Sequence, residues 1–282
     1  MSSEAARGRV PVNIVVRTRN RPLLLERALD DVLAQTVTDW VLTVVNDGGD
    51  PARVDDLVDR RRARFGDRVA VLHNDRSRGM EAASNQAIRH ADSDFVAVHD
   101  DDDTWAPDFL AAAIAALQDD PALGAVAVRT EIVWEEVVDE RVVERGREIF
   151  LPERRDVTLT DLLRFNSCVP ISMLYRRDPL EEIGLFDESL TVTGDWEANV
   201  RMAARHPIGF LGERTRAYWH QRRGSSGDLG NSVITLGDDH RRLDRQVRDR
   251  ELRAWVQENG TGLPLYLTRF ADDRFDEMRQ RL

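Results

Sequence analysis

The chain has 282 residues, 41% hydrophobic and 32% charged, with a formal charge of −11. That length can bury a sizeable core in one large domain or two small ones. The acidic balance argues against general nucleic-acid binding, because a phosphate backbone demands a basic surface. All 40 basic residues are arginines. The single cysteine, Cys168, excludes an intramolecular disulfide framework and a cysteine-cluster metal site and is read as a buried small residue. No apolar run approaches the ~20 residues that span a bilayer, and the first ten residues lack the apolar centre of a signal peptide. A soluble cytoplasmic protein is expected, with weak docking at the inner face of a membrane left open.

From residue 10 to about 130, apolar runs alternate with helix-like stretches. "VPVNIVV" (10–16) predicts a strand, and "PLLLERALDDVLAQ" (22–35) a helix with Pro22 in its first turn. "WVLTVVN" (40–46), "RVAVLHN" (68–74) and "DFVAVHD" (94–100) predict three more strands. "PARVDDLVDRRRARF" (51–65), "MEAASNQAIRHA" (80–91) and "PDFLAAAIAALQD" (107–119) predict the helices between and after them. This rhythm implies parallel strands with right-handed crossovers, a Rossmann-like α/β layer covered on both faces. The second half is less regular. A long strand is expected over 124–138, a short helix before 166, a strand over 170–177 and a helix over 195–206. A strand then runs into the Gly-Ser-rich stretch that ends at 232, and a charged helical tail starts at 237, with Trp255, Tyr266, Leu267 and Phe270 as docking points.

In a parallel α/β sheet, ligands bind beyond the carboxyl ends of the strands. Three polar signals fall there: "RTRN" (17–20), "NDGG" (46–49) and "HDDDD" (99–103). Asp47 followed by two glycines also reads as an ordinary turn. Asp103 and Asp108 fit the positive end of a helix dipole, but that effect explains only one or two acids. Four acids in a row suit a hard divalent cation, Mg²⁺ or Mn²⁺, held by one or two carboxylates with phosphate oxygens completing its shell. His99 and Trp105 flank the run and are expected to pack.

These blocks resemble glycosyltransferase family 2, whose members have the GT-A fold. The resemblance runs through "VNIVVRTRNRPLLLERALDDVLAQTVTDWVLTVVNDGG", "NDRSRGMEAASNQAI", "HDDDDTWAPDFL" and "GLFDESLTVTGDWEANVRMA", and covers most of residues 10–225. It implies an α/β, GT-A fold with a Rossmann-like, mostly parallel central sheet flanked by helices and a C-terminal helical extension. It also implies four segments: a tail (1–9), a nucleotide-sugar-binding half (10–125), an acceptor-binding half with the catalytic base (126–232) and the helical extension (233–282). The implied reaction moves a sugar from a nucleotide-diphosphate-sugar, with uridine the favoured base, to an acceptor hydroxyl with inversion, using Mn²⁺ or Mg²⁺.

Residue by residue, the resemblance places Arg17 at a nucleotide contact, although the family usually has Pro-Thr or Met-Thr there. Asp47 falls at the acid that bonds the donor's base, and Gly79 and Asn85 lie beneath the nucleotide. Asp100, Asp101 and Asp102 overlay the DxD motif: Asp102 as metal ligand, Asp101 on the ribose, and Asp100 on ribose or metal. His220 falls where some relatives place a histidine near the metal or diphosphate, and Asp195 at the general base, a position that also suits a helix N-cap. Glu197 is the second candidate base. Trp196 either lines the acceptor site or packs in the core. Arg222 and Arg223 either close over the diphosphate with the 221–232 stretch as a lid or are solvated charges. A pyrophosphorylase would need a glycine-rich phosphate loop that "RTRNRP" lacks. A non-catalytic nucleotide-sugar-binding protein and a retaining transferase are the remaining alternatives. The acceptor, be it a saccharide, a lipid-linked glycan or a small molecule, is not specified by these residues, and the C-terminal helices offer a surface for a homodimer.

Overall fold

The computed structural model describes residues 10–139, 141–222, 230, 231 and 237–281. The chain divides into two compact units, Met1–Gly237 and Asp238–Leu282.

The first unit is built on a nine-stranded sheet. Strands β1 (Val10–Thr18), β2 (Trp40–Asp47), β3 (Val69–Asn74) and β4 (Ser93–Asp100) come from β-branched, near-continuous apolar runs. They pair in parallel in the order β3-β2-β1-β4. Helices α1 (Pro22–Leu33), α2 (Pro51–Asp59), α3 (Arg62–Phe65) and α4 (Met80–His90) make the crossovers. Both faces of β1 are covered, as its sequence requires: Val12, Ile14 and Val16 enter one core cluster and Val15 the other. The single helix expected over 51–65 is broken at Arg60 and Arg61. The Arg61 guanidinium there grips Glu26 and Asp30 of α1.

Beyond β4 the sheet continues through β8 (Met173–Arg176), β6 (Ala125–Val138), β9 (Ile208–Arg222) and the two-residue β5 (Thr104–Trp105). Strand β8 is antiparallel to both neighbours, whereas β6 and β9 are parallel. The strand expected over 170–177 is a 3₁₀ turn (Pro170–Ser172), then β8, then the short helix α7 (Arg177–Glu182). Strand β7 (Arg141–Ile149) forms an antiparallel partner for β6 that the sequence reading omitted. Its "RVVERGREI" is mostly exposed and lacks the apolar run on which strand recognition depends. Helices α5 (Phe109–Asp119), α6 (Leu159–Arg164) and α8 (Gly194–Arg205) complete the layers.

The second unit holds α9 (Gly237–Asn259) and α10 (Gly262–Arg281), with Gly260 between them at φ +78. Exposed i,i+4 pairs such as Arg248–Asp244 and Arg253–Asp249 line α9, and solvent-screened pairs of this kind add little stability. Leu263, Leu265, Tyr266, Leu267, Phe270 and Phe275 are all exposed on α10. Among the described residues no helix is long and apolar enough to cross a membrane.

Candidate active site

The register of the parallel strands sets the site. Arg17 on β1 stands opposite Val45 on one side and Asp100 on the other, and Thr18 stands opposite Asn46. The three polar strand ends are thus neighbours. Asp47 accepts hydrogen bonds from Asn74 Nδ2 (2.9 Å), Ser77 Oγ (2.7 Å) and the Arg78 and Gly79 amides. Burial opposes its ionisation, but these donors hold the carboxyl below its usual range. Asp47 therefore braces the 74–79 loop. Gly48, at φ +81, lets that loop close in, since a Cβ there would overlap the Ser77 amide. Gly79, at φ +97, caps α4. Asn85 turns away from the strand ends. Its amide donates to the Phe186 carbonyl (2.8 Å) and Glu188 (2.9 Å) and accepts from the Phe186 amide, clipping the 185–188 segment to α4.

Three of the four aspartates meet arginines and the fourth a backbone amide, and this answers much of the charge problem that their sequence raises. Arg17 donates to Asp100 Oδ1 (2.9 Å), Glu81 Oε2 (3.1 Å) and Ser84 Oγ (2.9 Å). Asp101 accepts from Thr18 Oγ1 (2.7 Å) and Arg21 Nη1 (3.1 Å). Asp102 Oδ2 accepts from Arg222 Nη2, Asn231 Nδ2 (3.1 Å) and Arg21 (3.4 Å). Asp103 accepts the His220 amide at 2.8 Å. Burial pushes Asp101 up to about 6, with Arg21 opposing. Burial also pushes Asp103 well up, helped by the charges of Asp102 and Asp100. At Asp102 burial acts in the same sense, but Arg222, Arg21 and Arg27 more than offset it and keep the carboxyl below its usual range. Asp102 is thus held as an anion more firmly than Asp101 or Asp103.

Behind it lies a buried ion network. Glu135 on β6 takes Arg27 Nη1 at 2.5 Å, His220 Nδ1 at 2.6 Å and Arg222 Nη1 at 3.4 Å. Burial opposes its charge, yet His220 and Arg27 bring it down to about 2. The other His220 nitrogen, Nε2, lies 2.8 Å from Thr104 Oγ1. Both imidazole nitrogens thus face Glu135 and Thr104, not an aspartate. Arg222 is fully buried, an ion-pair member and no solvated charge. Arg223 and most of the 221–232 stretch lie outside the described residues; Gly230 and Asn231 are described, and both bond the network.

Asp195 lies in the first turn of α8. The N-cap is Thr193, at φ +68 and without a side-chain cap bond, so Asp195 is not the cap. Its Oδ2 accepts Asn166 Nδ2 at 2.7 Å. Burial raises its pKa, and Asn166 and the Trp196 amide oppose that rise. Glu81 on α4 comes up against the same turn: a Cβ on Gly194 would overlap its carboxylate. Burial, opposed by Arg17 and reinforced by Asp195 and Asp100, pushes Glu81 up to about 7. Glu197 is buried in a pair with Arg201 (2.6 Å), whose guanidinium also bonds the Ile183 and Leu185 carbonyls. Trp196 is 3% exposed and donates to the Leu162 carbonyl, so it is a core residue. Cys168 is buried, and His99 and Trp105 pack edge to face, as expected.

Among the described residues no group of three or more His, Cys, Asp or Glu side chains is placed to hold a metal ion. The donor set therefore does not suit a cation wrapped by protein ligands. It fits a hard divalent cation that takes one ionised carboxylate, Asp102, and fills its shell with phosphate oxygens.

The family described as "Glycosyl transferase family 2" matches residues 13–184, more than half of the chain. The chain belongs to glycosyltransferase family 2. An uncharacterized glycosyltransferase of Bacillus subtilis (strain 168), YwdF, is 26% identical over 198 residues, 70% of this chain and 69% of that protein. Among solved structures, S. aureus TarS 1-349 in complex with UDP-GlcNAc superposes with TM-score 0.62 at 19% identity, over 76% of this chain and 60% of that one. The mannosyltransferase PcManGT from Pyrobaculum calidifontis, in complex with GDP-Man and Mn²⁺, gives TM-score 0.55 at 22% identity, over 74% and 56%. The chain thus spans less than two thirds of these solved chains. The likeness shows the fold, and the fold of this family 2 chain is GT-A.

Several residues of the site escaped the sequence reading: Arg21, Arg27, Glu81, Glu135, Asn166 and Asn231. One of them carried a signal. In "IVWEEVV" the strand period puts Glu135 on the same face as the buried Val133, and a buried strand carboxylate needs a partner. Arg21 and Arg27 read as solvated helix charges, because nothing local announces that α1 passes over the end of β4.

Proposed function

We propose that this family 2 protein is an inverting transferase that moves a sugar from a nucleoside-diphosphate-sugar, with UDP the favoured carrier, to an acceptor hydroxyl. The observation that carries this reading is the bridge made by Arg17. One guanidinium ties Asp100 of the aspartate run to Glu81, and Glu81 abuts the turn that holds Asp195. The end of β4 and the half-buried carboxylate at the start of α8 are thus linked through Arg17 and Glu81. TarS in complex with UDP-GlcNAc and PcManGT in complex with GDP-Man and Mn²⁺ support the donor class.

In this reading residues 10–125 form the donor half and 126–232 the acceptor half, ahead of the 233–282 extension. Asp47 and the loop it braces, through Gly79, line the base pocket, while Asp100 and Asp101 meet the ribose. Asn85 acts by fixing the 185–188 segment under that pocket. Asp102, with diphosphate oxygens, would hold Mn²⁺ or Mg²⁺, and the ion when bound supplies positive charge to the leaving diphosphate. His220 would have to release Glu135 or Thr104 to join it, so its role here is to orient Glu135. Arg21 and Arg222 add fixed positive charge around the leaving group.

Asp195 takes the proton of the acceptor hydroxyl as that oxygen attacks the anomeric carbon in line with the departing diphosphate. Burial raises its pKa toward the operating range, which strengthens it as a base, and Asn166 fixes its orientation. Glu197 is not free for that task, because Arg201 and the first turns of α8 hold it. A thermal-shift panel of UDP, GDP and dTDP with and without Mn²⁺ tests the reading. UDP with Mn²⁺ should raise the melting temperature by mass action; no shift with any of the three nucleotides contradicts it.

A further inference from the structure

Arg222 is the largest fully buried side chain in the described fold, and it sits on the carboxylate assigned to the metal. A buried guanidinium is costly to desolvate and persists only with close anionic partners. Arg222 has two. Its Nη2 is on Asp102 Oδ2 and its Nη1 is 3.4 Å from Glu135 Oε2. The geometry is fixed from three directions. The strand register sets Arg222 opposite Glu135. The Arg222 amide donates to Asn231 Oδ1 at 2.7 Å, and Asn231 returns its own amide to Asp102. Glu135 is itself anchored by Arg27 and His220, which do not depend on Arg222.

We propose that Arg222 is the resident counter-cation of Asp102, which competes with the divalent ion for that carboxylate and yields it only when a diphosphate arrives to take the guanidinium. This rests on the assignment of Asp102 as metal ligand. The two partners are not equivalent. Glu135 is already paired with Arg27 and hydrogen-bonded by His220, so it serves as a pivot that keeps Nη1. Asp102 is the partner that changes hands. Before donor binds, Asp102 is paired with Arg222, with Arg21 beside it at 3.4 Å, and a divalent ion must displace the buried, hydrogen-bonded Arg222 guanidinium to reach it. When metal and diphosphate enter together, the diphosphate offers oxygens to Nη2. The guanidinium exchanges one anion for another without crossing to solvent, and Asp102 exchanges it for the metal. Charge is conserved through the exchange, because the anions that enter with the nucleotide match the cation that enters with them. The consequence is coupled loading: weak metal binding alone and strong metal binding with nucleotide.

The test uses the full chain and Mn²⁺ itself, read by the electron paramagnetic resonance signal of free Mn²⁺. Without nucleotide, Arg222→Gln should bind Mn²⁺ at least about ten-fold tighter than the wild type. With saturating Mn²⁺ its affinity for UDP, by calorimetry, should fall by a similar factor. Arg222→Lys, which keeps the charge, should bind Mn²⁺ alone as weakly as the wild type. Should Arg222→Gln be poorly stable, Mn²⁺ alone should raise its melting temperature more than that of the wild type. Equal or weaker Mn²⁺ binding by Arg222→Gln overturns the proposal. The double variant Arg222→Gln/Asp102→Asn separates the two assignments. If it keeps the tighter Mn²⁺ binding, the ion sits elsewhere and the Asp102 assignment falls with the proposal. If Asp102→Asn alone abolishes Mn²⁺–UDP binding while Arg222→Gln leaves Mn²⁺ affinity unchanged, only the proposal falls.

Discussion

Asp102 is a buried carboxylate and Asp195 a half-buried one, and their surroundings push them in opposite directions. Burial raises the pKa of each. At Asp102 three arginines more than cancel that effect. At Asp195 the close side-chain donor is a neutral amide, Asn166, and the rise remains. The counter-ions decide which way each pKa moves. An anion that stays charged suits a cation ligand. A carboxylate nearer to protonation suits proton transfer.

If this division is right, removing the base and removing the charge should give different failures. The largest effect is expected from Asp195→Asn, which keeps shape and hydrogen bonding but cannot take a proton. Turnover in a coupled nucleotide-release assay should drop by ~10²–10⁴ while UDP affinity stays within a few-fold. Near-normal turnover would place the base elsewhere.

A smaller effect is expected from Asn166→Ala. The amide lowers the pKa of Asp195, so its removal raises that pKa further. A base must be unprotonated to act, and the acid limb of the pH–rate profile should therefore move to higher pH, with turnover on the alkaline plateau reduced less than at pH 6. An unmoved limb would separate Asn166 from the titration of the base.

The smallest effect sharpens the comparison on the Asp195 side. Glu81 is raised from 4.5 to about 7 in the folded chain. The folded state thus holds a proton that the unfolded state loses near 4.5. The stability this provides is complete below pH 4.5 and is lost as pH rises through about 7. Glu81→Gln has no proton to lose, so urea melts should show the variant gaining on the wild type between pH 5 and 8. A difference that is constant with pH would mean that Glu81 is ionised throughout.

The parallel half of the fold was legible in the sequence because each of its strands is a covered apolar run and each crossover carries helical periodicity. The strand ends that build the site followed from that topology. The edges were harder to read: β7 is a mostly polar, exposed hairpin strand, and β8 is too short to be told from the turn and helix that flank it. Within the site, the acids were visible as a cluster because they are adjacent in sequence. Their arginines were not, because Arg17, Arg21, Arg27 and Arg222 come from three elements or their flanks, 75 to 120 residues away. A charge run reads as unbalanced until the fold supplies its partners. Trp196 and Glu197 follow Asp195 in sequence, yet they point into the core, one of the two readings given for Trp196, and to Arg201.

The central claim is that Asp102 is held anionic to bind a cation together with a nucleoside diphosphate. Calorimetric titration of UDP into the wild type and Asp102→Ala, each with Mn²⁺ and with a chelator, tests it most directly. The account predicts that Mn²⁺ strengthens UDP binding to the wild type and that Asp102→Ala removes this gain, lowering affinity at least about ten-fold in Mn²⁺. Equal UDP affinity for the two proteins, with the same response to Mn²⁺, would contradict it.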